Sequence, residues 1–308
     1  MKLVVTGSLG NISQPLTEIL VTLEHEVTVI SSDVKKQTAI EALGASAAIG
    51  SIADVDFLTA AFQGADAVYA MIPLSFTEPD LGKYLRRIAK NYVQALNTTK
   101  VKRVVVMSGW VADLIKSENL ENEFNSLEAS VTFMRPGSFY TNFYQHVDMI
   151  KGRGLMGKLL TLRYSGFWAL LTGKTGLLMG NCGGDDRIIF VSPKDIAVAV
   201  AEELVLMTEQ STIRYVGSEE LTCNEAARII GTAVGKPWLK WVLLSDKAML
   251  QGLKMAKVPE KLAETLVEMQ AAMHSGKPLE NFHRNHPKMG NVKLTNFAQE
   301  FARVYHQN

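Results

Sequence analysis

The segment Val4-Val5-Thr6-Gly7-Ser8-Leu9-Gly10-Asn11-Ile12-Ser13 constrains the fold more than any other part of the chain. Just before it, Lys2–Thr6 is a compact apolar run that stops at glycine, which predicts a short buried strand. Just after it, from about Asn11 to Glu24, Ile12, Leu16, Ile19, Leu20 and Leu23 recur at helical spacing. Pro15 falls in the first helical turn, where its missing N–H costs little. Glycines between a strand and a helix let the backbone turn sharply and come close to a ligand. The helix N-terminus then offers free N–H groups and a partial positive charge to a pyrophosphate. The plainer alternative is a tight turn that binds nothing.

The alternation persists through the first 110 residues. Glu26–Ile30, a weak Ala45–Ile49, Asp66–Ile72 and Lys102–Met107 read as strands, and Lys35–Leu43, Asp54–Phe62 and Asp80–Leu96 as helices. Continuous apolar runs such as Val104-Val105-Val106 suit strands covered on both faces, as in a parallel sheet. The expected fold is therefore α/β, a Rossmann-type doubly wound parallel sheet with a smaller mixed C-terminal lobe. Residues 1–150 form the expected nucleotide-binding domain. Residues 151–308 form the smaller lobe on the substrate side, with some elements returning to the sheet. In this second half Val131–Met134 and Arg214–Val216 read as strands. Helices are expected from Ser192-Pro193 to about Met207, over Cys223–Val234, over Pro259–His274 and over Thr295–Tyr305. Gly152–Gly184 holds nine glycines and reads as loops with short elements.

Composition removes several classes of function. With 47% hydrophobic and 20% charged residues, the chain can bury a large core and is not a disordered one. A net charge of +1 predicts neither nucleic acid nor a membrane as partner, although a local patch stays open. Two cysteines, Cys182 and Cys223, make neither a disulfide framework nor a four-cysteine zinc site, which predicts a reducing, cytoplasmic setting. Met1-Lys2 followed by three apolar residues is not a secretory signal. The apolar stretch from Phe167 to Met179 is short and broken by Gly173, Lys174 and Gly176, so it does not read as a span. His283 and His286 lack companion ligands for a metal.

The glycine spacing is Gly-x-x-Gly-x-x-Ser. With Ala61-Phe62-Gln63-Gly64-Ala65-Asp66-Ala67-Val68, Thr132-Phe133-Met134-Arg135-Pro136-Gly137, the Val191–Ala201 segment and Gly235-Lys236, it resembles the NmrA-like branch of the atypical short-chain dehydrogenases/reductases. That branch opens with Thr-Gly-x-x-Gly-x-x-Gly, so Ser13 replaces its last glycine and is expected to hinder close helix–strand packing mildly. The resemblance implies that Gly7, Leu9, Gly10, Asn11 and Ile12 cradle a pyrophosphate. It places Ile72 and Pro73 along the cofactor and Ser108 near the nicotinamide. An acidic residue directly after the second strand would favour NAD. Here Ser31 and Ser32 stand there, with Lys35 and Lys36 following, so contact of Ser31, Ser32 and Lys35 with the adenosine ribose or its phosphate favours NADP(H) over NAD(H). The branch often carries arginine near the position of Ser31, and this chain does not.

In the wider family a serine at the position of Ser108 polarises a carbonyl beside a Tyr-x-x-x-Lys pair. Between Trp110 and Arg135 there is no tyrosine, and Lys116 is the one lysine. Tyr140 and Tyr144 are candidate substitute donors, and Phe139, Tyr140, Phe143 and Tyr144 form either a core cluster or a wall around a flat acceptor. Ser108 and Tyr140 are thus the candidate catalytic residues. The leading expectation is an NAD(P)H-dependent reductase passing hydride to a small quinone-like or aromatic acceptor. A non-enzymatic NADP(H)-binding redox sensor acting on a protein partner is the alternative, and a homodimer is left open. A nucleotide-sugar epimerase is disfavoured, since alcohol oxidation needs the missing pair.

Overall fold

The computed structural model describes residues 1–73, 78, 80–115 and 119–307. Lys116 lies outside the described residues. Residues 1–136 carry β1 (Lys2–Val5), α1 (Ser13–Thr22), β2 (Glu26–Ser31), α2 (Gln37–Ala42), β3 (Ser46–Ile49), α3 (Val55–Phe62), β4 (Ala67–Ala70), α4 (Leu81–Thr99), β5 (Arg103–Met107) and β6 (Ser130–Pro136). Residues 137–192 carry β7 (Ser138–Phe139), α5 (Val147–Lys151), α6 (Gly154–Ser165), α7 (Phe167–Leu171), β8 (Leu178–Gly180) and β9 (Arg187–Val191). Next come α8 (Pro193–Val205) and β10 (Thr212–Val216). The remainder holds β11 (Glu219–Thr222), α9 (Cys223–Ala233), β12 (Trp241–Leu243), α10 (Asp246–Met255), α11 (Glu260–His274), α12 (Lys277–Arg284) and α13 (Leu294–Gln307).

Met1–Pro136 and Pro193–Val216 make one unit; Gly137–Ser192 and Gly217–Asn308 make the other. The first unit is built on a seven-stranded sheet in the order β10-β6-β5-β4-β1-β2-β3, parallel at every pairing. This is the doubly wound, Rossmann-type arrangement. The chain steps from β1 outward to β2 and β3, then crosses back to β4 on the other side of β1. The order reverses at β1, which is where such sheets open a crevice for ligands.

Burial explains why the strand sequences lack the alternation of a half-exposed sheet. Val4, Val68, Val104 and Val106 turn into one core with Leu58 and Phe62 of α3 and Ile88, Tyr92 and Leu96 of α4. By strand alternation Val5, Tyr69 and Val105 face the opposite side, and they too are fully buried. On α1, Leu16 and Leu20 are buried, and on α8 so are Ile196, Val200 and Leu204. Arg103, wholly buried at the start of β5, fixes α8 to the sheet. Its guanidinium donates to the Glu203 carboxylate at 2.6 Å, to the Glu203 carbonyl at 3.0 Å and to Thr132 Oγ1 at 2.7 Å.

In the second unit, β11 runs antiparallel to β9 and β9 parallel to β7, while β12 and β8 form a separate parallel pair. Phe143 stacks on Phe190, and Tyr144, Phe297 and Phe301 cluster around Tyr140 and α13. Of the aromatic run after Arg135-Pro136-Gly137, Tyr140 and Phe143 are core of this unit, and Phe139 and Tyr144 are half-buried. Gly152–Gly184, expected to be mostly loop, contains the twelve-residue helix α6. Its internal Gly157 is required by packing: a Cβ there would lie 2.3 Å from the backbone of Gly152.

Candidate functional site

The site is assembled where β1 ends. Thr6 anchors the turn to β4: its N–H donates to the Tyr69 carbonyl at 3.1 Å, and its hydroxyl accepts the Met71 N–H at 2.8 Å. Gly7 follows at φ +92°, and a Cβ on it would lie 2.5 Å from Met71 Cε and 2.6 Å from Ser13 Oγ. Only glycine satisfies both constraints. Gly10 donates to the Gly7 carbonyl at 3.1 Å, closing the turn, and Gln14 donates to the Gly10 carbonyl at 3.0 Å, starting the helix. No side chain caps the N-terminus of α1, and no acidic residue lies in its first turn. A glycine cradle under an uncapped helix start fits a pyrophosphate, because anions are stabilised by free N–H groups and the helix dipole.

Ser13 does not hinder the packing of α1 as expected. It is fully buried, and its hydroxyl donates to the Thr6 carbonyl at 2.7 Å. The hydroxyl thus ties the first residue of the helix to the end of the strand.

The turn is tied to the end of β2 as well. Ser8 donates to Ser31 Oγ at 2.9 Å, and the buried Ser31 donates in turn to the Asp33 carbonyl at 3.2 Å. Ser31 therefore joins the glycine turn to the end of β2. Asp33 is occupied locally, its carboxylate accepting the Lys35 N–H at 3.0 Å. Ser32, Lys35 and Asn11 are exposed; Leu9 is half-buried and Ile12 buried. Beyond β4, Ile72 is half-buried and Pro73 exposed. The Met71 carbonyl just before them accepts a hydrogen bond from Tyr92 at 3.0 Å.

At the end of β5 the structure reveals a partner that sequence reading missed. Ser108 Oγ donates to Glu121 Oε1 at 2.6 Å, and Glu121 also takes two hydrogen bonds from Arg135, at 2.9 and 2.7 Å. Arg135 reaches Tyr215 Oη at 3.0 Å and lies 3.5 Å from Asp113. Burial works against the charge of Arg135, yet the hydrogen bonds and charge of Glu121, with the bond to Tyr215, hold it above the ordinary arginine range. The signal in the sequence was Arg135 itself. An arginine inside a buried strand needs an acid nearby, but nothing in the spacing pointed to Glu121. Since the Ser108 hydroxyl donates its hydrogen bond to a carboxylate, the lone pairs of its oxygen are what it can offer to another group.

Tyr140 belongs to the second unit. It is fully buried, stacks on Phe297 with ring centroids 5.7 Å apart, and has its hydroxyl 3.1 Å from Glu219 Oε2 and 3.0 Å from the Val292 carbonyl. His283 pairs with Glu220 at 2.8 Å. Among the described residues, no group of three or more His, Cys, Asp and Glu side chains could hold a metal ion.

Residues 7–151 match the model of an NAD(P)H-binding family. Over 277 residues the chain is 22% identical to an NAD(P)H azoreductase of Xenophilus azovorans, covering 87% of this chain and 86% of that one. Among solved structures it is similar to the NADPH-dependent quinone oxidoreductase of Escherichia coli complexed with NADPH, with a TM-score of 0.69 and 18% identity over 97% of this chain and 99% of that one. It is equally similar to the triphenylmethane reductase of Citrobacter sp. complexed with NADP(H), with a TM-score of 0.70 and 18% identity over 97% and 99% of the two chains. These structural likenesses establish the Rossmann-type fold across nearly the whole chain.

Proposed function

We propose that this protein is an NAD(P)H-dependent reductase of the NmrA-like kind that transfers hydride to a small quinone-like or aromatic acceptor. The observation that carries the proposal is the Gly7–Ile12 cradle under the uncapped start of α1, at the strand-order reversal of the sheet. The azo-dye, quinone and triphenylmethane activities named for its relatives support the acceptor class. Gly7, Leu9, Gly10, Asn11 and Ile12 hold the pyrophosphate. Ser31 shapes the adenosine side through Ser8, and Ser32 and Lys35 meet the ribose or its phosphate, which favours NADP(H). Ile72 and Pro73 line the cofactor path.

A reduced nicotinamide bound there supplies the hydride. Ser108, held by Glu121, would offer its oxygen as a hydrogen-bond acceptor to the nicotinamide end of such a cofactor. A quinone-like acceptor takes the hydride at one site and a proton from solvent at the resulting oxyanion. No tyrosine general acid is required for that balance, which accords with the lack of tyrosine between Trp110 and Arg135. A carbonyl-to-alcohol reduction would need such a donor, and in this arrangement the Ser108 hydroxyl is engaged as a donor to Glu121.

The test is a titration with NADPH and NADH, followed by mixing each complex with quinones and azo dyes. Tighter NADPH binding and acceptor-dependent oxidation are expected. Gly10→Asp, which sets a carboxylate against the pyrophosphate, should abolish binding while the fold persists. Nucleotide binding without turnover across the panel would favour the redox-sensor reading instead. Unchanged NADPH affinity in folded Gly10→Asp would overturn the cradle assignment.

A further inference from the structure

Helix α6 of the second unit exposes an unusual share of its leucines. Two positions that pack inward carry small or polar residues: Gly157 sits against the Gly152 backbone, and Thr161 is buried with its hydroxyl donating to the Gly157 carbonyl at 2.8 Å, while Leu160 is half-buried. Several of its outward positions are large and apolar. Leu155, Leu159 and Leu162, spaced four and three apart, are 76%, 51% and 43% exposed. Helix α7 continues the pattern with exposed Phe167, Trp168 and Leu171, Trp168 at 76%. A water-facing surface rarely gathers so many exposed large apolar side chains along one stretch of chain without a partner.

The charges around these residues identify that partner. Between Asp148 and Asp185 the chain has five basic residues and no acidic one. Four of the five, Arg153, Lys158, Arg163 and Lys174, are exposed around the apolar side chains. Exposed Arg228, Trp238 and Lys240 line a cavity of about 460 Å³ together with Tyr164 of α6. Apolar side chains with tryptophan among them, ringed by lysine and arginine, are the composition of a segment that lies in a membrane interface. A second copy of the same face would bring like charges together across a two-fold axis. No helix among the described residues is long and apolar enough to cross a membrane, so the segment would lie on the surface.

We infer that α6 and α7 form a peripheral docking face for an anionic lipid bilayer, with Leu155, Leu159, Leu162, Phe167, Trp168 and Leu171 entering the interface and Arg153, Lys158, Arg163 and Lys174 meeting the headgroups. The net charge of the whole chain conceals this patch, and the sequence-based expectation of no membrane partner is revised to surface binding. Long-tailed quinones dissolve in bilayers, so the face suits the reductase reading. The binding itself is measured without turnover, and the two proposals therefore fail separately.

The test is co-sedimentation of the full chain with phosphatidylcholine vesicles, plain or containing phosphatidylglycerol, at low and high salt. At least about tenfold more bound protein is expected on the anionic vesicles, and high salt should release most of it. Leu155→Ser combined with Trp168→Ser, and separately Lys158→Glu combined with Arg163→Glu, should each abolish the association. All four side chains are exposed, so both variants should keep the wild-type unfolding midpoint. Absence of binding to anionic vesicles overturns the proposal, as does binding that both variants retain. A concentration-dependent dimer lost in the Leu155/Trp168 variant, without vesicle binding, assigns the face to a second copy. Slower turnover of a water-soluble acceptor in that variant, without vesicle binding, makes it a substrate wall. Either result also overturns the proposal.

Discussion

The Ser13 hydroxyl donates to the Thr6 carbonyl at 2.7 Å, with both residues fully buried. This bond joins the start of α1 to the end of β1. Replacing Ser13 by alanine should therefore cost about 1–2 kcal/mol by stranding the buried carbonyl. Replacement by glycine should cost at least as much, since it also adds about 0.5–1 kcal/mol of backbone freedom to the helix. Urea unfolding midpoints of the two variants check this. A glycine variant as stable as the wild type would show that the hydroxyl contributes nothing.

The Ser108–Glu121–Arg135 network makes a sharper prediction. Both charged side chains are more than nine-tenths buried. Glu121→Gln removes the buried counter-charge and leaves the guanidinium only Asp113, 3.5 Å away and partly exposed, and breaking a buried pair costs about 3–5 kcal/mol. The double variant Glu121→Gln with Arg135→Gln should be less destabilised than the sum of the two single ones, by about 0.5–3 kcal/mol. Ser108→Ala should cost only about 1 kcal/mol of stability. If Ser108 orients the nicotinamide, that variant should weaken nucleotide binding and leave the pH profile of turnover unmoved. Loss of a titration from the profile would instead identify Ser108 as a proton donor.

These two cases mark how far the sequence could be read. Val4-Val5 and Val104-Val105-Val106 betray a sheet covered on both sides because residues buried on both faces need no long-range context to be recognised. Gly7 was legible for a similar reason, as its conformation is a local property. Ser31 was legible as a position after β2, but its burial depends on Ser8, 23 residues away in sequence. Glu121 was not legible, because its place beneath Ser108 is set by how the 3-10 segment Leu120–Ser126 folds back under β5 and β6. Helix α6 was hidden by its glycines. They read as breakers until the Gly152 backbone lies against Gly157.

Lys236, in the Gly-Lys turn noted in the sequence, stitches two loops of the second unit. Its Nζ donates to the Lys151 carbonyl at 3.0 Å and to the Thr175 carbonyl at 2.9 Å. Burial, with Arg153 nearby, holds it below the ordinary lysine range. Lys236→Met keeps much of the stem packing and removes both bonds. A loss of roughly 1–3 kcal/mol is expected, discounted for partial exposure. Hydrogen exchange should quicken first at the amides of Gly152 and Leu177, which donate to carbonyls of α5. Uniform exchange across the second unit would argue against a local stitch.

His146 sets a pH dependence whose sign can be worked out. It sits edge-on to Trp241, ring centroids 6.0 Å apart, and burial holds its imidazole below the ordinary histidine range. Above about pH 6.5, the unfolded histidine value, both folded and unfolded forms are neutral and the contribution to stability is complete. As the pH falls through that value the unfolded chain takes up a proton before the folded one does, so stability declines until the lower folded value is passed. The chain has five other histidines, so the measurement is a difference. The wild-type unfolding midpoint minus that of His146→Phe should be smaller, or more negative, at pH 5.5 than at pH 8, because the variant lacks this proton uptake. Parallel midpoint curves for the two proteins would show that His146 titrates alike in both states.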